Sequence, residues 1–206
     1  LRTLVIYVFL RVLHKLFYVN GRIMHFKSQH LRILLELYER GPLDSMEIAK
    51  KLKVREKSIK RNLKHLISRG LVKRIDGKFL LTDKGDLFIN SITKSLSEVK
   101  KGEEYIFRDL NGNTVTLAVK DLRQLCAIIE FNLIDKGIIS HHLRSGYIGK
   151  WIENSVGDNY LANEISELLE KTPEEELLSR VLDLMKERLK VTSEFNSIQN
   201  ELKLQM

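Results

Sequence analysis

The sequence is poor in residue types that would indicate particular classes of protein. Its 206 residues include one cysteine, two prolines and one tryptophan. A single cysteine, Cys126, excludes an intramolecular disulfide and fits a reducing, intracellular compartment. It lies in "DLRQLCAIIEF", where Leu122, Leu125 and Ile129 join it at helical spacing. We therefore expect a small buried side chain there rather than a nucleophile.

Long hydrophobic runs are absent as well. Charges at Arg11 and Lys15 interrupt the membrane-like start, and its longest charge-free run, residues 3–10, is far shorter than the ~20 residues of a membrane span. It also lacks the cleavage site of a signal peptide. Two interpretations of residues 1–23 remain open: an over-extended start, with translation beginning at Met24, or an N-terminal amphipathic helix.

Motifs of common enzymes and metal sites are missing too. The sequence has no P-loop, G-x-G-x-x-G, G-x-S-x-G or H-E-x-x-H. His141 and His142 are adjacent, so on a helix their side chains do not point the same way. Asp158 is better explained as a helix cap, and Trp151 as a core or interface anchor. We expect no enzyme, no metal and no cofactor.

The charge that is present is unevenly distributed. The chain has 35 Lys and Arg against 27 Asp and Glu, a formal net charge of +8. Residues 24–101 hold 19 basic and 9 acidic side chains, whereas residues 102–206 hold 12 and 18. A basic first half joined to an acidic second half predicts two modules with different partners.

Two helices are predicted at the start of the basic half. "SQHLRILLELYERGPL" predicts a helix that ends at Gly41-Pro42. Its expected buried face consists of Leu31, Leu34, Leu35 and Tyr38. "DSMEIAKKL" predicts a second helix, with Asp44 as the N-cap and Glu47 completing a capping box.

The segment "REKSIKRNLKHLISRGLVKR", residues 55–74, combines a helical pattern with eight Lys or Arg. Its expected buried stripe consists of Ile59, Leu63, Leu66 and Ile67, and Gly70 is the expected helix stop. Asp76-Gly77 then predicts a tight β-hairpin with a type I′ turn. A long helix, about residues 83–100, is expected to follow.

This order of three helices, a hairpin and a helix is that of a winged helix-turn-helix. "MEIAKKLKVREKSIKRNLKHLISRGLVKR" followed by "GKFLLTDKG" resembles the MarR- and ArsR-like transcription regulators of bacteria and archaea, over residues 31–90. Many members of those families have Ser or Thr where Arg55 stands. The resemblance implies that helix 56–69 enters the major groove of double-stranded DNA and that the wing, residues 71–82, follows the backbone.

The predicted DNA contacts are polar or basic side chains on this helix and wing. They are Arg55, Lys57, Ser58, Lys60, Arg61, Lys64, Arg74 and Lys78. Arg61 is the best candidate to read guanine, and Ser58 could reach a base edge or a phosphate. The four lysines and Arg74 are expected to contact the DNA backbone and so to position the protein on it. Such a protein is expected in the cytoplasm, associated with the nucleoid.

A second module is predicted over residues 103–171. "EYIFRDLNGNTVTLAV" predicts another hairpin that turns at Asn111-Gly112-Asn113. The residues that follow predict helices, two of them separated by Gly157. From Tyr105 to about residue 170, "YIFRDLNG" and "HHLRSGYIGKWIENSVGDNYLANEI" resemble a family of small, mainly archaeal domains without an established activity. The resemblance implies a domain and no role, although a ligand or a protein partner could act there.

A C-terminal helix is predicted over residues 172–206, starting at Thr172 and Pro173. Its stripe is Leu177, Val181, Leu184, Arg188, Val191, Phe195, Ile198 and Leu202. We prefer a coiled coil in which the seven apolar members dimerise, and the alternative is packing against the chain's own domains. Arg188 either fixes the register or reaches sideways to an acidic neighbour.

The expected fold class is therefore mainly α with small β-hairpins (α+β): a winged helix-turn-helix over 24–101, a small α+β domain over 103–171 and a C-terminal helix. We expect a homodimeric DNA-binding transcriptional regulator. One alternative is an architectural or chromatin protein with little sequence preference. Another is a winged-helix protein–protein adaptor, including a form whose acidic half covers its own basic face.

Overall fold

The computed structural model describes residues 26–203, with side chains as far as Glu201. The two interpretations of residues 1–23 lie outside the described residues, and so does the side chain of Leu202.

The described chain is mainly helical, with two small antiparallel hairpins and a long C-terminal helix, which confirms the predicted fold class. The N-terminal part contains α1 (Ser28–Arg40), α2 (Ser45–Lys51), α3 (Glu56–Ser68), β1 (Val72–Ile75), β2 (Lys78–Leu81) and α4 (Asp83–Ile92). The central part contains β3 (Tyr105–Arg108), β4 (Thr114–Val119), α5 (Leu122–Glu130), α6 (Lys136–Arg144), α7 (Tyr147–Trp151), a π-helical turn (Ile152–Val156) and α8 (Asn159–Lys171). The last helix is α9 (Glu174–Lys203).

Local side-chain chemistry sets the boundaries of the N-terminal elements as predicted. The Asp44 carboxylate accepts hydrogen bonds from the backbone N–H groups of Met46 and Glu47, and the Glu47 carboxylate accepts one from the Asp44 N–H at 2.7 Å. This is a complete capping box. Asp76 and Gly77 have φ values of 48° and 81°, as a type I′ turn requires, and β1 pairs with β2 across that turn.

Two predictions about the N-terminal part are wrong. Helix α4 ends at Ile92 rather than near residue 100. Bonds of the i→i−3 kind, from Lys94 N to Ser91 O and from Ser97 N to Lys94 O, replace the helical pattern there. Tyr38 is 45% exposed because it lies at the edge of the apolar stripe of α1, where its hydroxyl donates to Asn90.

The central part also follows its local signals. Strands β3 and β4 pair antiparallel with an irregular register, and the Asp109 carboxylate accepts bonds from the N–H groups of Asn111 and Asn113 in the turn. Cys126 is buried on the apolar face of α5, as predicted. Asp158 caps α8 by accepting from the N–H of Leu161, as expected, whereas the helix expected before it is divided into α6, α7 and the π-helical turn.

The apolar side chains form two separate clusters, which we call the first core and the second core. The first core is built mainly from the N-terminal part, between α1, α2, α3, the β1–β2 hairpin and α4, and it also contains Tyr160 of α8. The second core lies within the central part, between the β3–β4 hairpin and the helices that follow it.

Helix α9 belongs to both cores, which corrects the preferred prediction for the C-terminal stripe. Leu177, Val181 and Met185 are buried in the second core, while Val191, Phe195 and Ile198 are buried in the first. Leu184 packs partly buried against the second core. The stripe therefore packs against its own chain, which was the alternative, and in this fold it leaves little surface for a second copy.

Arg188 lies where α9 passes from one core to the other. Only 4% of its surface is exposed, and it forms an ion pair with Asp158, with Nε–Oδ2 and Nη2–Oδ1 distances of 2.7 and 2.9 Å. Its guanidinium lies over the rings of Phe88 and Tyr160, and the Ser95 hydroxyl also donates to Asp158. Arg188 thus reaches an acidic neighbour, as one of its two interpretations predicted.

Candidate nucleic-acid interface

Helix α3 buries one face and presents the other to solvent. Ile59, Leu63 and Leu66 are buried, as predicted, but Ile67 is 40% exposed, which is a correction. Asn62 takes the remaining buried position and donates from Nδ2 to the carbonyl of Ser58 at 3.0 Å. Because the helix ends at Ser68, the chain turns inward immediately afterwards and buried Leu71 takes the core position next to Leu66.

The structure brings the eight predicted DNA contacts to the surface of one helix and one hairpin. Ser58 is half-buried, and the other seven are exposed: Arg55, Lys57, Lys60, Arg61, Lys64, Arg74 and Lys78. Arg55 is the N-cap residue of α3, and its side chain makes no capping bond. Arg74 and Lys78 extend from the β1–β2 hairpin, with the Arg74 guanidinium 5.5 Å from the centre of the Phe79 ring.

Only one of these seven cations has an ion-pair partner among the described residues. Lys60 Nζ lies 2.9 Å from Glu56 Oε1, and the same oxygen accepts from the Ser45 hydroxyl at 2.6 Å. These hydrogen bonds, from Ser45 first and then Lys60, lower the pKa of Glu56, so this carboxyl group stays ionised. No carboxylate of the described chain pairs with the other six cations.

A shallow groove of about 260 Å³ runs between α3 and the hairpin. Leu63, Ile67 and Phe79 form an apolar floor, and Lys60, Lys64 and Arg74 form a basic rim. Apolar surface bordered by cations is chemically suited to a sugar–phosphate chain, because the sugar presents C–H groups and the phosphate a negative charge.

The acidic half of the chain packs on another side of the N-terminal part. Glu164 of α8 pairs with Lys84 of α4 at 2.6 Å, and Glu201 of α9 pairs with Arg32 of α1 at 2.5 Å. Within residues 26–203, no hydrogen bond or ion pair joins the eight predicted contacts to any residue beyond α4. The autoinhibitory arrangement, in which acidic residues cover the basic face, is therefore wrong for this conformation.

The side of α3 that faces α1 holds a histidine pair that the sequence analysis missed. His65 of α3 stacks on buried His30 of α1, with ring centroids 4.6 Å apart and planes 13° apart. Burial first, and then the nearby His65, Arg69 and Lys27, lower the pKa of His30 to about 4. Because the two histidines are distant in sequence and have no motif, no sequence signal could have paired them.

The other residues that the sequence analysis considered, His142 and Trp151, make hydrogen bonds within the second core. His142 Nδ1 bonds to the Tyr105 hydroxyl at 2.5 Å, and His142 Nε2 lies 2.8 Å from the carbonyl oxygen of Arg108. Trp151 is buried and donates from Nε1 to the carbonyl of Glu103, so it anchors the core. Across residues 26–203, no cluster of three or more His, Cys, Asp or Glu is placed to hold a metal ion.

A known protein family matches the basic half of the chain. Residues 23–104 match the family model described as the HVO_A0261 N-terminal domain. This HVO_A0261 match includes α1 to α4, and with them all eight predicted contacts. No curated protein matches the chain.

Among solved structures, the crystal structure of T. acidophilum IdeR matches at 16% identity with a TM-score of 0.28, over 80% of this chain. The chain spans about half of the length of that protein, 55%. In the described part of the chain, no helix has the length and apolarity needed to cross a membrane.

Proposed function

We propose that the protein is a DNA-binding transcriptional regulator. Helices α2 and α3 act as a helix-turn-helix, α3 enters the major groove, and the β1–β2 hairpin acts as a wing on the sugar–phosphate backbone. The regulator acts as a homodimer that reads two half-sites about one DNA turn apart. An enzymatic role is not part of this proposal.

One observation carries the proposal: six exposed cations on α3 and the hairpin have no ion-pair partner within residues 26–203, and the acidic half of the described chain leaves that surface open. A merely solvated helix face gains stability by mixing charges, since like charges at i,i+4 repel each other. On α3, Lys57 and Arg61 form such a like-charged pair, as do Lys60 and Lys64. A polyanionic ligand would compensate this repulsion.

Within this surface the residues divide into two roles. Arg61 projects from the middle of the exposed face of α3, where its guanidinium is suited to a bidentate contact with guanine. Lys57, Lys64 and Arg74 contact phosphates, while Lys60 contributes less because Glu56 already neutralises it. This second part refines the sequence prediction, which treated Lys60 like the other lysines.

The first experiment is a salt titration of duplex DNA binding, followed by fluorescence anisotropy, for the intact protein and Arg61→Glu. If about six phosphates are contacted, log K should fall with log salt at a slope of about −5. The matched control is Lys150→Glu, which makes the same change of net charge on an exposed residue of α7. We expect Arg61→Glu to abolish most of the affinity and Lys150→Glu to leave it nearly unchanged.

Other outcomes favour the alternatives. Equal losses in the two variants would mean that net charge rather than this face controls binding, and would contradict the proposal. The expected slope without preference for any sequence, tested against scrambled duplexes, would favour the architectural role. Absence of binding by the unmodified protein would favour the adaptor role.

A further inference from the structure

Helix α3 carries a single acidic side chain among its many cations. Glu56 is the first residue of the helix and the only Asp or Glu between residues 48 and 75. Its carboxyl group stays ionised because the Ser45 hydroxyl and the Lys60 ammonium both donate hydrogen bonds to it. A fixed negative charge opposes contact with phosphates, so it has a different role from the cations that surround it.

The Glu56 carboxylate lies at one end of the groove between α3 and the β1–β2 hairpin. Both groups that bond to its Oε1, the Ser45 hydroxyl at 2.6 Å and Lys60 Nζ at 2.9 Å, belong to residues that line this groove. One edge of α3 carries four residues at i, i+4, i+7 and i+11: Glu56, Lys60, Leu63 and Ile67. The last three also line the groove, so Glu56 continues the same edge toward the N-terminus of α3.

One oxygen of this carboxylate is fixed and the other is available. Ser45 is buried at the start of α2, so its hydrogen bond holds the Glu56 side chain against a packed part of the fold. Oε1 accepts both printed bonds, and within the described chain Oε2 has no hydrogen-bond partner. Glu56 therefore presents a charged acceptor in a set orientation, beside the cations that the proposed function places on DNA.

We propose that Glu56 is a specificity-determining residue of the DNA-binding surface, and that its carboxylate accepts a hydrogen bond from the amino group of a cytosine or an adenine. This inference rests on the proposed function, in which the N-terminal residues of α3 reach base edges. In the major groove cytosine and adenine present an amino group where thymine and guanine present a carbonyl oxygen. A carboxylate only accepts hydrogen bonds, so Glu56 selects the amino bases and repels the carbonyl bases.

The same carboxylate restrains binding to DNA of unrelated sequence. Binding without sequence preference depends on the number of phosphates that cations neutralise. Because Glu56 pairs with Lys60, one cation fewer is available to the phosphates. Glu56 thus strengthens the preferred sequence and weakens the others, and both effects raise the ratio between the two affinities.

The test is selection of duplexes from a random pool by the intact chain, unmodified and with Glu56→Gln, followed by fluorescence anisotropy on individual duplexes. For the unmodified chain, one position of the selected site should lose affinity about fivefold or more when its amino base is replaced by a carbonyl base. In Glu56→Gln this difference should largely disappear, because a carboxamide donates as well as accepts. Its salt slope on a scrambled duplex should also steepen by about 0.9, since Lys60 is released for one more phosphate.

The matched control is Glu39→Gln, which removes the same charge from an exposed position on α1 and should behave like the unmodified chain. Equal changes in the two variants would overturn the proposal, because net charge would then explain them. If Glu56 only stabilises the start of α3, Glu56→Gln will lower the affinity for every duplex by the same factor, and that result would also overturn it. Absence of DNA binding by the unmodified chain would refute the proposed function itself, whereas binding with a base preference that Glu56→Gln leaves unchanged would refute this inference alone.

Discussion

The buried ion pair between Arg188 and Asp158 yields the sharpest prediction about stability. Asp158→Asn keeps the shape of the side chain and an oxygen that can cap α8, since Asn is also a good N-cap, but it removes the negative charge. Arg188 is then left buried without a counter-charge. Removal of one partner of a buried pair costs about 3–5 kcal/mol, which for a chain of this size lowers Tm by about 10 °C.

Three further variants separate the pair from other effects. Arg188→Met should cost a similar amount, because it leaves Asp158 buried and unpaired. The double variant should lose only about 1 kcal/mol, since it leaves no buried charge without a partner. The control is Arg180→Met on the same helix, which breaks an exposed i,i+4 pair with Glu176 and should cost less than about 0.5 kcal/mol.

Urea unfolding followed by circular dichroism measures these free energies. Single variants that each lose less than about 1 kcal/mol, with losses that simply add in the double variant, would refute the reasoning. Such a result would mean that the pair is accessible to water and that the two cores are not joined through it.

Three other predictions follow from the packing. Deletion of residues 187–206 removes Val191, Phe195 and Ile198 from the first core, so the N-terminal part of the shortened chain should no longer melt cooperatively. An unchanged melting curve by circular dichroism would contradict this. The pKa of His30 is about 4 in the folded chain and about 6.5 in the unfolded chain, so the unfolded chain binds more protons between these two pH values. The free energy of unfolding should therefore be unaffected by His30 above pH 6.5 and should fall by about 3 kcal/mol as the pH is lowered to 4. Urea unfolding at both pH values should show a smaller fall for His30→Gln. Gly85→Ala places a Cβ 2.2 Å from the Leu71 carbonyl oxygen, so it should lower the free energy of unfolding by about 2–3 kcal/mol in the same assay. The control is Gly149→Ala, whose new Cβ has no atom within 4 Å and which should be neutral or stabilising.

The features that could be predicted from the sequence are those set by neighbouring residues. The capping box of Asp44 and Glu47 and the turn at Asp76-Gly77 depend on side chains within three positions of each other. Exposure of the cations on α3 followed equally well from the helical period. The pairing of Lys60 with Glu56 could also have been predicted, because these residues stand at the favourable i,i+4 spacing.

The partners of distant segments could not be predicted. A helical stripe shows that a face of α9 is buried but not what covers it, so own-chain packing and a coiled coil look the same in sequence. A straight helix also drifts from a strict heptad, which explains why Met185 is fully buried while Leu184 is only partly buried. The early end of α4 depends on i→i−3 turns next to Ser95, whose partner Asp158 lies 63 residues away.

The position of α9 in both cores has a consequence for how the protein is made. Many proteins fold from the N-terminus while the ribosome is still extending the chain. Here the first core lacks Val191, Phe195 and Ile198 until synthesis has passed them, about 100 residues after the end of α4. The surface formed by α3 and the β1–β2 hairpin should therefore reach its final stability only when α9 has left the ribosome, so an unfinished chain should be exposed to proteases.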